Sequence, residues 1–501
     1  MYKLLQTVSL ALGAAVLSAC GGGSGSGAPA PAPVEVAQNA CASVMPITQN
    51  VARSAGALPL AAGKRKLLAF AQRVELGVPP GDLVTRAQIG LPGPGLRQAT
   101  GFARPLSRTA SVSATAGFMQ WQATPSGGSV AAISFVSAGA VGIRTGMVVY
   151  RIPKDASIRL YAADNSLVFE TSGAAVLDSV QRNVDAGGDS EAARTYWTPA
   201  VDGEESILEI ELAQGSLPND LALAIPRLSH LYQSALAVPK AEFARAGTSG
   251  ACQVDVSCST AYASESNATA KMNFVAQDGR SYVCTGTLLA DRPGSGTPYF
   301  LTANHCISQQ SEASSVVTYW FYRSSSCNSG TLSTSARTLA GGATLLYANA
   351  TTDTSFMRLN GVPPAGVTYA GWDPAAPGLG ESVAGIHHPG GDLQKVNNGS
   401  FRSFLACTTI DAVANSYSCV DSTQAGGNYL SALWSRGVTE SGSSGSGLFK
   451  SAGGVNYLVG QLRGGSSSCS NPTGNDSYGR FDVAYKAALR NWLDTPACNA
   501  R

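Results

Sequence analysis

Three side chains in the second half of this chain have the types needed to break an acyl bond by covalent catalysis. His305 closes the apolar run of "YFLTANHCIS", Asp353 opens the one in "TTDTSFMRL", and Ser444 sits in the turn "ESGSSGSGLF". A serine hydroxyl is a weak nucleophile at neutral pH, so a base must take its proton, and an aspartate must fix that base's tautomer. Gly442 and Gly445 let the backbone turn sharply, so that the amides of Gly442 and Ser444 can face one developing oxyanion. Ser443 or Ser446 as the nucleophile would misplace that pair of amides. The turn has a near-copy in "GGGSGSGAPAPAP", Gly21–Pro33, which by composition is a flexible tether. Alone, His305 reads as a structural histidine and Asp353 as a turn residue. Their joint order and context make the second Gly/Ser run a candidate active site.

Such a constellation needs a rigid frame, and the chain from Gly247 onward reads as short strands. "NATAKMNFVAQ", "SYVCTGTLLA", "TPYFLTANHC", "SVVTYWFYR", "ESVAGIHHPG", "NYLSALWSR" and "VNYLVGQLRGG" are β-type runs separated by turn residues. The end differs. In "FDVAYKAALRNWLDTPAC", Tyr485, Ala488, Leu489, Trp492 and Leu493 recur at helical spacing until Pro496. Val34–Ala246 also reads as strands, among them "KRKLLAFAQRVEL", "GFMQWQA", "VAAISFVSA", "GMVVYRI", "ASIRLYAA", "SLVFET" and "SILEIELAQG". Their regular spacing predicts a β-sandwich. Its one histidine, His230, has no catalytic companions there.

At 501 residues the chain can bury two or three separate cores. Charged residues make up 13%, about half the usual share, and 56 glycines suit a turn-rich exported β protein. A net charge of +2 with no Lys/Arg block argues against a nucleic-acid partner. "MYKLLQTVSLALGAAVLSAC" has one lysine, an apolar run too short to span a bilayer and a small-residue end, which mark residues 1–19 as an export signal. Leu17-Ser18-Ala19-Cys20 resembles the bacterial lipobox, which implies lipidation of Cys20, a tether over 20–33 and membrane attachment through that lipid alone. Gly21 is similar to the outer-membrane-directed type; ordinary cleavage near Ala19 is the alternative. Eleven cysteines fit an oxidising compartment, and no CxxC or HExxH pattern speaks for a metal. No cofactor is expected.

The order His, Asp, Ser is that of the chymotrypsin class. The motifs "GTSGAC", "CTGTLL", "YFLTANHC", "AGWD", "IHHPGGD", "GVTESGSSGS", "GQLRGG" and "YGR" follow in an order that resembles the bacterial lysyl endopeptidase branch of the trypsin-like serine peptidases. The resemblance covers about the second half of the chain. It implies an all-β, chymotrypsin-like double barrel with a C-terminal helix over 247–501, preceded by a sandwich-like pro-region over 34–246 that aids folding or inhibits. It also implies the pairs Cys252–Cys469, Cys258–Cys327 and Cys284–Cys306. Cys407 and Cys419 are then left to pair locally, and Cys498 has only Cys41 as a remote candidate.

For specificity, the position six residues before Ser444, which holds trypsin's pocket acid, is the uncharged Val438. The resemblance implies that Asp476 supplies the acid from the opposite wall, after the Leu462-Arg463-Gly464 strand. A solvated turn aspartate is the alternative there. Four departures matter. The residue before Ser444 is Ser443, which cannot pair with a new N-terminal amine as in trypsin-type activation. Gly447 replaces a proline, Arg463 a histidine and Cys407 a tryptophan, and a guanidinium at 463 could pair with Asp476. His387-His388 is read as structural. The expected function is an exported endopeptidase that cuts protein or peptide substrates after lysine, with arginine open. It would be held at the outer membrane or cell surface, or released once mature. Alternatives are a non-catalytic surface lipoprotein binding module and a serine protease of other specificity. Maturation is expected near Gly247, with Lys240 or Arg245 as a first cut or another protease involved.

Overall fold

The computed structural model describes residues 70–81, 97–163, 168–234, 249–411 and 416–494. The export signal, Cys20, Cys41, Lys240, Arg245, Gly247, Pro496 and Cys498 lie outside the described residues.

Two β-barrels carry the site. In the first, seven strands run in the order Arg337–Leu339, Val317–Trp320, Thr269–Val275, Ser281–Leu289, Tyr299–Ala303, Thr354–Leu359 and Ala343–Asn349. In the second, six of eight strands close a ring: Ser382–His387, Gly447–Ala452, Val455–Gly465, Asn475–Arg480, Tyr429–Arg436 and the long Lys395–Asp411, which returns to the first. Closure leaves that ring no open edge. Apolar positions face inward: Phe300, Trp320, Phe356 and Met272 fill the first barrel, and Phe401, Trp434, Leu448 and Tyr478 the second. Phe481–Leu493 is helical as expected, with a wider π turn over Tyr485–Leu489. Its Tyr485, Leu489 and Leu493 join the first barrel's core, and Trp492 tilts against Phe356 at 5.8 Å.

The N-terminal domain is a sandwich of two sheets over one core that includes Ile133, Phe135, Leu208, Ile143, Met147 and Ile225. It is not made of strands alone. Gly173–Asp185 is a helix capped by the Ser172 hydroxyl and buries Val176 and Val180 on the core. In "GFMQWQA" only Gln122–Ala123 is a strand, because Gly117 and Phe118 end the helix Val112–Phe118.

One sheet crosses from this domain into the first barrel. Gln98–Pro105 pairs with Ala222–Leu231 on one side and with Ser281–Leu289 on the other, Gly101 facing Ser281 and Ala99 facing Tyr282. This explains why Thr269–Val275 is buried at every position instead of alternating. Met272 and Phe274 face the barrel core, while Val317 and Tyr319 beside it pack on Ala200 and Leu231 of the N-terminal domain. Arg144 crosses the junction, donating from Nε to Thr198 O at 2.8 Å and from Nη2 to Ser315 O at 2.7 Å.

The three implied disulfides, Cys252–Cys469, Cys258–Cys327 and Cys284–Cys306, are formed, and so is the local pair Cys407–Cys419. Cys284–Cys306 ties a barrel strand to the residue after His305 and closes a sequence separation of 22. Replacing both cysteines by alanine is expected to lower stability by about 3 kcal/mol, chiefly by freeing the unfolded chain. Denaturant midpoints of the full-length variant and parent measure it; equal midpoints would remove the brace.

Candidate active site

The ends of two paired strands bring His305 and Asp353 together. Tyr299–Ala303 and Thr354–Leu359 run antiparallel with Ala303 opposite Thr354, so the residues just beyond them meet. Asp353 Oδ2 lies 2.7 Å from His305 Nδ1, and Oδ1 accepts the His305 main-chain N–H at 2.8 Å. The Asp353 carbonyl accepts the Asn304 N–H at 2.8 Å. These bonds hold Asp353 at φ +49°, a left-handed conformation uncommon outside glycine. With Nδ1 engaged by the carboxylate, Nε2 is left as the basic nitrogen. Burial pushes the His305 pKa down, Asp353 pulls it up, and Arg463 lowers it further.

Ser444 sits where the two barrels meet. Gly442 and Gly445 have φ of +88° and +81°. A Cβ on Gly445 would fall 2.1 Å from Thr302 Oγ1 and 2.5 Å from Thr285 O, so no side chain fits. The turn is anchored on three sides: Gly445 N–H donates to Leu462 O and Thr285 N–H to Ser444 O, both at 2.8 Å, and Gly390 N–H to Ser441 O at 2.6 Å. The amides of Ser443 and Ser446 donate within the turn, to Glu440 O and Ser443 O. Those of Gly442 and Ser444 donate to no protein group among the described residues, which is the arrangement expected of an oxyanion pair. Ser444 Oγ is buried with no hydrogen-bond partner among the described residues, whereas Ser443 Oγ lies 2.7 Å from His387 Nδ1. His305 Nε2 makes no hydrogen bond to Ser444 Oγ and lies 3.8 Å from Cys306 Sγ. Such contacts often tighten only around substrate.

The two neighbouring histidines are structural. Burial pushes both His387 and His388 down to about 3, so they are neutral props. His387 holds Ser443, and His388 Nδ1 lies 3.0 Å from Asp392 O.

Asp476 is fully buried on Asn475–Arg480, not a solvated turn residue. Its Oδ2 accepts from Trp434 Nε1 at 2.6 Å, Thr439 Oγ1 at 2.8 Å and Ser467 Oγ at 2.6 Å. Its Oδ1 accepts only a long 3.4 Å bond from Ser467 N–H. Gly465 has no side chain beside it; a Cβ there would sit 2.4 Å from Oδ1. Burial pushes the Asp476 carboxyl up, and the Ser467, Trp434 and Thr439 bonds oppose this. Leu462 pairs with Tyr478 and Gly464 with Ser477 on the neighbouring strand, and Leu462 is bound to the Ser444 turn through its N–H and C=O.

Arg463, set beside Asp476 by the sequence reading, reaches Asp353. The ladder slips between Leu462 and Gly464, and such a bulge re-aims a side chain. Arg463 Nε lies 3.7 Å from Asp353 Oδ2, and its guanidinium stacks 4.4 Å over the Tyr417 ring. Tyr417 stands on the hairpin stapled by Cys407–Cys419. Tyr417, Trp434, Thr439, Glu440 and Ser467 escaped the sequence reading. Thr439 and Glu440 lie inside a motif it used, but their partners come from distant strands.

The profile of the lysyl endopeptidase C-terminal domain matches residues 246–479, and that of the lysyl endopeptidase N-terminal domain matches residues 82–232. A lysyl endopeptidase of Pseudomonas aeruginosa is 33% identical over 436 residues, spanning 83% of this chain and 86% of that protein. This chain belongs to the lysyl endopeptidase family. It is accordingly a serine endopeptidase, and the alternative of a non-catalytic binding module falls. Among solved structures, the active form of an M. tuberculosis protease aligns at 14% identity and a TM-score of 0.32, covering 49% of this chain and 91% of that one. An HtrA-type protease with a bound tripeptide aligns at 14% identity and a TM-score of 0.31, covering 46% and 62%.

The guanidinium at 463 disfavours a proton on His305. Removing it should raise the His305 pKa and move the acid limb of kcat/KM to higher pH. Arg463→Gln is expected to shift that limb to higher pH, and Arg463→Lys, which keeps the charge, by much less. The pH profiles of kcat/KM for the three proteins measure it; superimposable acid limbs would dismiss the electrostatic role.

Proposed function

We propose that this family member is an exported endopeptidase that cuts after lysine through an acyl-enzyme at Ser444. The observation that carries the reading is a buried Ser444 hydroxyl with no partner among the described residues, in a turn whose Gly442 and Ser444 amides lack acceptors there, together with an imidazole held by a buried aspartate. In this scheme His305 Nε2 takes the Ser444 proton as Oγ attacks the scissile carbonyl. The Gly442 and Ser444 amides receive the oxyanion, and His305 then gives its proton to the leaving amine. Water attacks the acyl-enzyme by the same route in reverse. Asp353 keeps Nδ1 protonated and stabilises the imidazolium.

Lysine preference rests on Asp476. Three donors fix its Oδ2, so the carboxylate is oriented before any substrate arrives, and Oδ1 is the atom left for an ammonium. A point-like ammonium on a long apolar stem suits a dry pocket with one acceptor. The N-terminal domain fits a pro-region that flanks the cleft. Gln233 Nε2 donates to Gly390 O at 2.5 Å, and Gly390 and Gly391 abut Gly442. The export signal and the Cys20 lipobox would place the protein outside the inner membrane, tethered by lipid or released after a cut near Gly247.

Ser444→Ala should retain the fold and lose turnover by a factor on the order of 10⁶. Near-normal hydrolysis by that variant would refute the nucleophile. Asp476→Asn should lower kcat/KM on lysine peptides by roughly 30- to several-thousand-fold, about 2–5 kcal/mol, with leucine peptides far less affected. Matched lysine, arginine and leucine peptides give the comparison. An unchanged lysine-to-leucine ratio would strip the lysyl assignment of its physical basis.

A further inference from the structure

The residue before Ser444 is Ser443, occupied by His387, so no acid stands where a trypsin-type turn is locked by a free amine. An acid does stand four residues before Ser444. Glu440 Oε1 accepts the main-chain N–H of Gly250 and the side-chain Nε2 of Gln253, each at 2.9 Å. The same spot is closed covalently by Cys252–Cys469, with Cys469 Sγ 3.9 Å from Glu440 Oε1. Gly250 must lack a side chain there, since a Cβ would sit 2.4 Å from Cys469 Sγ and 2.8 Å from Glu440 Oε1. On the other flank the Ser249 hydroxyl donates to Asp392 Oδ2, and Asp392 ends the loop whose Gly390 N–H donates to Ser441 O at 2.6 Å. Glu440 also ties the turn internally: its carbonyl accepts the Ser443 N–H at 3.0 Å, and its own N–H donates to Ser443 Oγ at 3.2 Å. Segment 249–253 therefore grips both sides of Glu440-Ser441-Gly442, the stretch that aims the Gly442 amide.

We propose that Glu440 is a positioning residue for the oxyanion turn, and that the internal peptide N–H of Gly250 does there what a newly freed amine does in trypsin-type enzymes. The proposal rests on the reading of Ser444 as nucleophile and of the Gly442 and Ser444 amides as its oxyanion donors. A carboxylate that accepts two N–H bonds forms charge-assisted contacts stronger than neutral ones, and both donors lie within one continuous chain. The lock needs no cut at Gly250. Removing it should loosen the Gly442 amide, which is felt only when the oxyanion develops, so kcat falls while substrate binding is kept.

The test uses the full-length protein, processed as it is when isolated. kcat and KM on a lysine peptide are measured for Glu440→Ala, Glu440→Gln and Glu440→Asp, alongside Ser444→Ala and thermal unfolding midpoints. Glu440→Ala is expected to lose about 10²-fold in kcat with KM within a few-fold, and Glu440→Gln, which keeps the oxygen acceptor, to lose less than about tenfold. Glu440→Asp, which withdraws the carboxylate by one methylene, decides the matter should alanine not fold. Wild-type kcat in whichever of these two folds overturns the proposal, as does a loss carried by KM or matched by a loss of folded protein. Activity retained in Ser444→Ala instead overturns the nucleophile reading beneath it. N-terminal sequencing of the active species gives the second arm. A start upstream of Gly250 is expected, and an active form beginning at Gly250 itself would return the role to a free amine.

Discussion

A carboxylate buried as deeply as Asp353 is costly unless donors converge on it, and here the donors dictate the geometry around them. One oxygen takes the His305 main-chain N–H and the other faces the imidazole Nδ1, so backbone and ring are oriented by the same group. Arg463 adds positive charge on the second oxygen, braced by the Tyr417 ring. Gln461 Nε2 reaches the carbonyls of Thr352 at 2.8 Å and Asp353 at 3.2 Å, tying the second barrel to the loop that carries the acid. The left-handed backbone at Asp353 persists because these bonds over-determine it. The two barrels are thus joined through a charge that neither could bury alone.

The Ser444 turn obeys the same logic with neutral groups. Its bonds to Thr285, Leu462 and Gly390 come from both barrels and from the loop after His388. None of them uses the Gly442 or Ser444 amide, which stay without an acceptor among the described residues. A turn of glycine and serine alone would be floppy, as the Gly21–Pro33 composition implies. Here steric exclusion at Gly445 and these anchors make it one conformation. What separates linker from active site is therefore the surrounding frame.

That contrast sets what could be read from the chain. His305, Asp353 and Ser444 are each embedded in a local pattern of apolar run, turn and glycine, so order and context were enough to single them out. The C-terminal helix announced itself by the spacing of Tyr485, Leu489 and Leu493. The helix Gly173–Asp185 did not, because its buried apolar side chains, Val176 and Val180, are few and β-branched, and Gly173, Asp178 and Ser179 around them are residues that turns favour. The direction of Arg463 hinges on a slip in the strand ladder, and the continuity of Gln98–Pro105 with the first barrel hinges on pairing between residues some 180 positions apart. Neither leaves a trace in spacing.

Asp476 depends on the same frame. Its strand buries it, but orientation comes from Trp434, Thr439 and Ser467, residues on three different segments. Thr439 directly precedes Glu440, so the hydroxyl that aims Asp476 and the carboxylate that grips segment 249–253 are neighbours on one turn. Ser467 lies two residues before Cys469, whose disulfide anchors that same segment. The Asp476 carboxylate and the Ser444 turn therefore share supports. A change that relaxes the clasp at Gly250 has a short covalent path to the orientation of Asp476, through Thr439 on one side and Ser467 on the other. Because the carboxylate is buried and its Oδ2 is already committed, small rotations have nowhere to go without losing a donor, and losing a donor at a buried charge is expensive. The orientation of Asp476 and the shape of the Ser444 turn are two consequences of how one nine-residue loop, 438–446, is held.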